Sequence, residues 1–110
     1  GWLLDQFVKV AKVNELQPGE IKYVELDDVE ILLANIDGEL YAVSDTCTHA
    51  YASLSDGALE GCQISCPIHG GVFDVITGEV IQGPPDEALE RYAVKLEGDD
   101  ILIGPIENPQ

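Results

Sequence analysis

The sequence predicts an all-β domain with one irregular, loop-rich insertion. Three observations lead there. Short runs of alternating apolar and polar residues recur toward both ends of the chain. Turn pairs such as Pro18-Gly19, Asp37-Gly38, Thr77-Gly78 and Gly98-Asp99 separate them. No stretch sustains a helical period. At 110 residues, with 45% hydrophobic and 24% charged residues, the chain fits one globular domain with a single modest core.

Taken in order, residues 6–13 alternate as a half-buried strand should. A turn follows at Pro18-Gly19, and residues 21–26 alternate again until Asp27-Asp28 breaks the pattern. Residues 29–36 are apolar enough for a buried strand, and 40–43 form its return. The Asp37-Gly38 pair between them is a strong hairpin signal, because both residues accept the left-handed backbone a tight turn needs. From 44 to 85 the alternation becomes patchy. Short strands are predicted at 63–65, 71–75 and 79–81, with Gly83-Pro84-Pro85 as a rigid loop. Residues 86–91 hold at most a turn of helix. A last hairpin joins 92–96 to 100–103, and residues from 104 onward read as a tail. The expected organisation is a basal β domain from residues 1–44 and 86–104. An insertion at about 45–85 interrupts it, and 105–110 trail behind.

Charge and cysteine content narrow the function. Twenty-one acidic residues against five basic ones give a net charge of −16, which repels nucleic acid and anionic lipid. Such a balance serves solubility, or it forms an acidic docking face for a basic partner. No apolar run approaches the roughly 18 residues of a membrane span. The opening residues Gly1 to Asp5 lack the basic and long apolar regions of an export signal, so a cytoplasmic setting is expected. Three cysteines cannot all pair within one chain, and reduced thiols favour metal ligation over a disulfide.

The strongest signal lies in the insertion. Cys47-Thr48-His49 is followed, after sixteen intervening residues, by Cys66-Pro67-Ile68-His69-Gly70-Gly71. Both histidines of the chain and two of its three cysteines fall in these stretches. Thiolate and imidazole suit zinc, copper and iron–sulfur centres, whereas calcium or magnesium would want oxygens. Pro67 stiffens the second loop. Gly70 and Gly71 remove side-chain bulk, so the backbone can approach and offer N–H groups to sulfur. A zinc finger sets its cysteines together and its histidines together. Here each loop carries one of each, which suits a two-metal centre with both cysteines on one metal and both histidines on the other.

On these residues, 47–71 resemble a Rieske [2Fe–2S] domain, and the surrounding strands agree over nearly the whole chain. The small size is similar to the Rieske ferredoxins of bacterial aromatic-ring-hydroxylating dioxygenases. The resemblance implies a Rieske-like fold of small antiparallel sheets, arranged as a sandwich or barrel, with a cluster-binding subdomain. It implies one [2Fe–2S] cluster per chain, with Cys47 and Cys66 on the inner iron and His49 and His69 on the outer one. It implies that electrons leave through His49 or His69. It also implies a supporting shell of Thr48, Pro67, Gly70, Gly71 and Pro84, with Gly83-Pro84-Pro85 as the loop covering the cluster. Rieske proteins of respiratory complexes carry a disulfide between the ligand loops and two hydroxyl donors to the cluster. Here the corresponding positions are Ala52 and Ile68, and Gly71 and Phe73. Fewer donors to the sulfurs destabilise the reduced state, so a low potential is expected.

The functional expectation is a monomeric one-electron carrier, not an enzyme. It would move electrons from a flavin-dependent reductase to a terminal Rieske oxygenase through transient, electrostatically steered encounters. The alternatives are a small subunit held permanently in a nitrite reductase-like complex, and a structural zinc module. Among the remaining residues, Cys62 reads as a small packed side chain and Trp2 as a terminal anchor. Tyr51 reads equally as a docking or a packed aromatic. The acidic residues Asp86, Glu87 and Glu90 read as a partner contact or a solvated turn.

Overall fold

The computed structural model describes residues 6–48, 52–68 and 70–107. Among the described residues ten strands form two antiparallel sheets, and there is no α-helix. The larger sheet has the order β1-β10-β9-β4-β3-β2, built from β1 (Val8–Lys12), β2 (Ile21–Leu26), β3 (Val29–Ile36), β4 (Glu39–Ser44), β9 (Arg91–Glu97) and β10 (Asp100–Glu107). The smaller is a meander of β5 (Ala58–Glu60), β6 (Gln63–Ser65), β7 (Val72–Asp74) and β8 (Val80–Gln82).

Turn chemistry sets the first hairpins. Asp37 (φ 55°) and Gly38 (φ 97°) both take left-handed backbone, as a two-residue turn between right-twisted strands requires. Asp27 (φ 47°) and Asp28 (φ 74°) do the same between Leu26 and Val29. The residues that break the alternation thus join β2 directly to β3, because a short polar side chain tolerates this conformation. Asn35 supports the next turn. Its side chain donates from Nδ2 to Leu16 O (2.9 Å) and accepts the Gly38 N–H (2.8 Å), so a polar group buried in β3 is satisfied.

β3 is the wall between two cores. Ile31 and Leu33 face one cluster with Leu16, Val24, Ala42, Tyr92, Ile101 and Ile103. Leu32 and Ala34 face another, with Val43, Leu54, Ile64, Phe73, Val75 and Leu89. Burial on both faces explains why this strand reads as a near-continuous apolar run.

Everything between β4 and β9 is an insertion between neighbouring strands of the larger sheet. The two strands pair through Ala42↔Tyr92 and Val43↔Arg91, and the Ser44 N–H donates to Glu90 O (2.9 Å). The chain therefore leaves and re-enters the sheet at one point, so loops of the insertion are held from both ends.

Several elements differ from the sequence expectation. β10 runs through Gly104 and Pro105 to Glu107, where the sequence suggests a tail. A register shift between Ile103 and Ile106 absorbs the two breakers, and Gly104 leaves space for the Phe7 ring, which a Cβ would meet at 2.6 Å. The strand at Ala58–Glu60 and the 3-10 turn at Leu54–Asp56 have no counterpart in the sequence reading; both are three residues long and too short to show a period.

Candidate metal centre

Two loops of like construction carry the candidate ligands. The first spans 47–52, and the Cys47 N–H closes it on Ala52 O (2.9 Å) just inside the Thr46↔Ser53 bridge. The second spans 66–71, and the Cys66 N–H closes it on Gly71 O (2.7 Å) just inside the Ser65↔Val72 pair. Each cysteine therefore stands at the mouth of a six-residue hairpin loop, its backbone fixed by its own loop closure. His49, Tyr51 and His69 lie outside the described residues, as does Trp2.

Both thiols are buried, Cys47 at 1% exposure and Cys66 at 4%, and both belong to the core that holds Phe73 and Leu54. They lie beside each other without a disulfide. Burial pushes the Cys66 thiol up, the Ile68 backbone N–H bonded to it pulls the other way, and the Cys47 thiol adds to the rise. Adjacent, buried, unpaired thiols lack a partner that offsets their desolvation, and a metal would be that partner. Among the described residues no group of three or more His, Cys, Asp or Glu converges that could hold a metal. The two cysteines would supply two donors of a ligand set, and the sequence of the same two loops carries His49 and His69. The donor set fits a two-cysteine, two-histidine iron–sulfur centre.

The flanks of the first loop rest on Asp45. It is fully buried, and its carboxylate accepts the Ser55 N–H (2.8 Å) and the Ser53 hydroxyl. Its backbone carbonyl accepts the Leu54 N–H (2.6 Å). Sequence reasoning misses this residue; an acid two positions before a ligand, facing two serines eight and ten residues on, is its only trace. In the second loop, the N–H aimed at Cys66 Sγ comes from Ile68. Gly71 matters sterically, because a Cβ there would lie 2.6 Å from Pro85 Cδ and Cγ. Pro85 is buried and makes this contact, whereas Pro84 and Pro67 are exposed.

Thr48 does not satisfy local backbone. Its hydroxyl donates to Glu87 O (2.9 Å), thirty-nine residues away. Gln82, also missed, donates from Nε2 to Gly70 O (3.0 Å). Cys62 packs against the second core with its thiol 3.7 Å from Asp74 Oδ2. Burial first, then the Asp74 charge, push that thiol up and make it a poor nucleophile.

Comparison with known proteins decides the family. Residues 6–93 match the Rieske [2Fe-2S] domain. The chain belongs to the Rieske family. It is 42% identical over 98 residues to the biphenyl dioxygenase ferredoxin subunit of Pseudomonas sp. (strain KKS102), covering 88% of this chain and 90% of that one. It is 36% identical over 101 residues to the ferredoxin component of the naphthalene 1,2-dioxygenase system of Pseudomonas aeruginosa, covering 92% and 97%. A solved chain in a complex of reduced oxygenase and oxidised ferredoxin in carbazole 1,9a-dioxygenase superposes with a TM-score of 0.86 at 34% identity, covering 91% and 94%. The all-β architecture is that of Rieske ferredoxins, and the cofactor is a Rieske-type [2Fe–2S] cluster, which rules out the zinc module. Like these relatives, the chain is an electron-transfer component and not a catalytic enzyme. Among the described residues no helix is long and apolar enough to cross a membrane.

Proposed function

We propose that this Rieske protein is a cytoplasmic, monomeric one-electron carrier of an aromatic-ring dioxygenase system, taking electrons from a flavin-dependent reductase and delivering them to a terminal oxygenase. The observation that carries the reading is the pair of adjacent buried thiols at the mouths of two matched loops, in a chain whose relatives are dioxygenase ferredoxins. In this reading Cys47 and Cys66 hold the inner iron, His49 and His69 hold the outer iron, and electrons pass through the histidine side. When bound, the cluster accepts and gives up one electron. The residues hold their geometry through that change: each cysteine backbone is locked by its loop closure, and the second core keeps water from the thiols.

The site also favours a low potential, in the lower part of the Rieske range of roughly −150 to +300 mV. Phe73 is fully buried in the core of the two cysteines and brings no hydroxyl, and Gly71 has no side chain to donate. A Phe73→Tyr substitution adds a donor beside the thiols and is expected to raise the potential in protein-film voltammetry; an unchanged or lower value would count against this account. The dioxygenase relatives favour a carrier over a permanent nitrite reductase-like subunit.

The ligand assignment is tested by iron analysis and EPR of the dithionite-reduced protein. Wild type should give two irons and a Rieske-type spectrum, and His49→Cys or His69→Cys should abolish that spectrum. A substituted protein that keeps it overturns the assignment. Reconstitution with a flavin-dependent reductase and a terminal oxygenase tests the carrier role, where omission of the chain should stop turnover.

A further inference from the structure

Cys47 and Cys66 stand at the mouths of two separate loops, and with all three cysteines free no disulfide ties one loop to the other. Residues 53–58 run from the end of the first loop to the strand that pairs beside the start of the second. On one side this segment is bonded to Asp45, two residues before Cys47. The Asp45 carboxylate accepts the Ser53 hydroxyl and the Ser55 N–H (2.8 Å), and its backbone carbonyl accepts the Leu54 N–H (2.6 Å). A carboxylate at 0% exposure is costly unless its oxygens are bonded, so the segment and Asp45 hold each other.

On the other side the segment is keyed to Ser65, one residue before Cys66. Ala58 pairs with Ser65, whose hydroxyl donates to Ala58 O (3.2 Å). Gly57 lies so close that a Cβ there would overlap the Ser65 carbonyl oxygen and stand 3.0 Å from its carbon. The Gly57 φ of −92° is open to any residue, so glycine is required here by space and not by backbone conformation. Between the two anchors the segment is internally bonded. The Asp56 N–H donates to Ser53 O (3.1 Å), the Gly57 N–H donates to Leu54 O (2.9 Å), and Leu54 is fully buried in the core of the two cysteines.

We propose that residues 53–57 are a spacer that sets the bases of the two ligand loops against each other, with Asp45 and Gly57 as its positioning residues. The proposal rests on the assignment of Cys47 and Cys66 as ligands. Two thiolates on one iron need a fixed separation, and a one-electron carrier needs it unchanged between oxidation states.

The test uses the cluster-loaded protein. Asp45→Ala leaves the Ser55 N–H without its acceptor. Asp45→Asn can still accept that N–H through Oδ1 and donate to Ser53 Oγ through Nδ2, so it keeps the network without the charge. Gly57→Ala forces Ser65 aside. Amide hydrogen exchange is read at Cys47 and Cys66, whose N–H groups close the two loops. Asp45→Ala should quicken it at Cys66 as well as at Cys47, and Gly57→Ala should quicken it at Cys47 as well as at Cys66. Cluster loss to an excess of chelator, followed by visible bleaching, should accelerate about tenfold in each, the scale of a buried donor left without its acceptor. The double variant should fall short of the product, because both changes act through one segment. Asp45→Asn should stay near wild type, and exchange at Leu33 and Ile101 in the basal core should not change. Ser53→Ala removes a single hydroxyl and should repeat the Asp45→Ala pattern at about threefold, which keeps the test open where Asp45→Ala does not load a cluster. Exchange that quickens at Cys47 alone in Asp45→Ala and Ser53→Ala overturns the spacer. So does Asp45→Asn bleaching as fast as Asp45→Ala, which would put the work in the charge. Exchange that rises equally at Leu33 overturns it too, as general destabilisation. Failure of the ligand assignment would show separately, as wild-type protein without two irons and a Rieske-type spectrum.

Discussion

Tyr92 places its ring in the basal core at 5% exposure, beside Glu90. Burial first, and then that carboxylate, push its phenol up to about 12 from an ordinary value near 10. The folded chain thus holds this proton more tightly than the unfolded chain does. The stability it contributes is fully present below pH 10 and is lost as pH rises from 10 through about 12. Urea unfolding at pH 9 and pH 12 should show the wild type losing about 2 kcal/mol more than Tyr92→Phe over that interval. Equal losses would show that the phenol is not held this way. At the residue scale, the sequence marks what is local. Cys47 and Cys66 stand out because ligand spacing repeats within a few positions. Gln82 does not, because its partner Gly70 lies twelve residues away, and Glu87 stands out only for its charge, whereas its bond to Thr48, thirty-nine residues away, is made by its backbone carbonyl. Asp45 escapes for the same reason.

β3 couples the basal sheet to the metal centre, and its alternation separates the two roles. Leu32 and Leu33 are both fully buried, yet Leu32 faces the core containing Cys47 and Cys66 whereas Leu33 faces the core of Ile101 and Ile103. Truncating either to Ala should cost about 2–5 kcal/mol in urea unfolding, since each leaves a cavity in a packed interior. Cluster loss to chelator should divide them: Leu32→Ala should bleach several times faster than Leu33→Ala at matched stability. Equal bleaching would mean that the two cores respond as one. Hairpins are legible where turn residues announce them, as at Asp37-Gly38. Where aspartates do the same work without glycine, as at Asp27-Asp28, the sequence marks the break between the strands but not the turn type. β5 escapes notice because three residues with only a half-buried middle position carry no period. β10 is cut short because Gly104 and Pro105 resemble an end when they form a bulge.

Across the whole molecule, charge is divided along the chain. Between Lys22 and Arg91 there are fourteen acidic residues and no Lys or Arg, and this stretch includes the entire insertion with its ligand loops. The four lysines lie on strands of the basal sheet and sit 3.4 Å from carboxylates: Lys9 and Lys12 at Asp100, Lys22 at Glu15, and Lys95 at Glu97. Exposed pairs of this kind add little stability, but they neutralise one another locally, whereas the insertion from Asp45 to Glu90 carries eight acidic residues and no Lys or Arg to offset them. Asp86, Glu87 and Glu90, all exposed, belong to that charge and follow directly on Gly83-Pro84-Pro85. A partner presenting basic residues around its electron-accepting group would be drawn to the insertion, the end proposed for electron exit, with the negative field aligning the encounter. The reaction between reduced carrier and oxygenase, followed by stopped flow, should therefore slow at least tenfold between about 10 mM and about 1 M salt. Over that range the screening length falls from about 30 to about 3 Å. Glu87→Gln should weaken the salt dependence, whereas Glu97→Gln, on the lysine-bearing sheet, should leave it unchanged. A rate that is flat across this range of salt would remove electrostatic steering from the account and leave docking to the exposed apolar side chains Ile68 and Ile81 of the insertion.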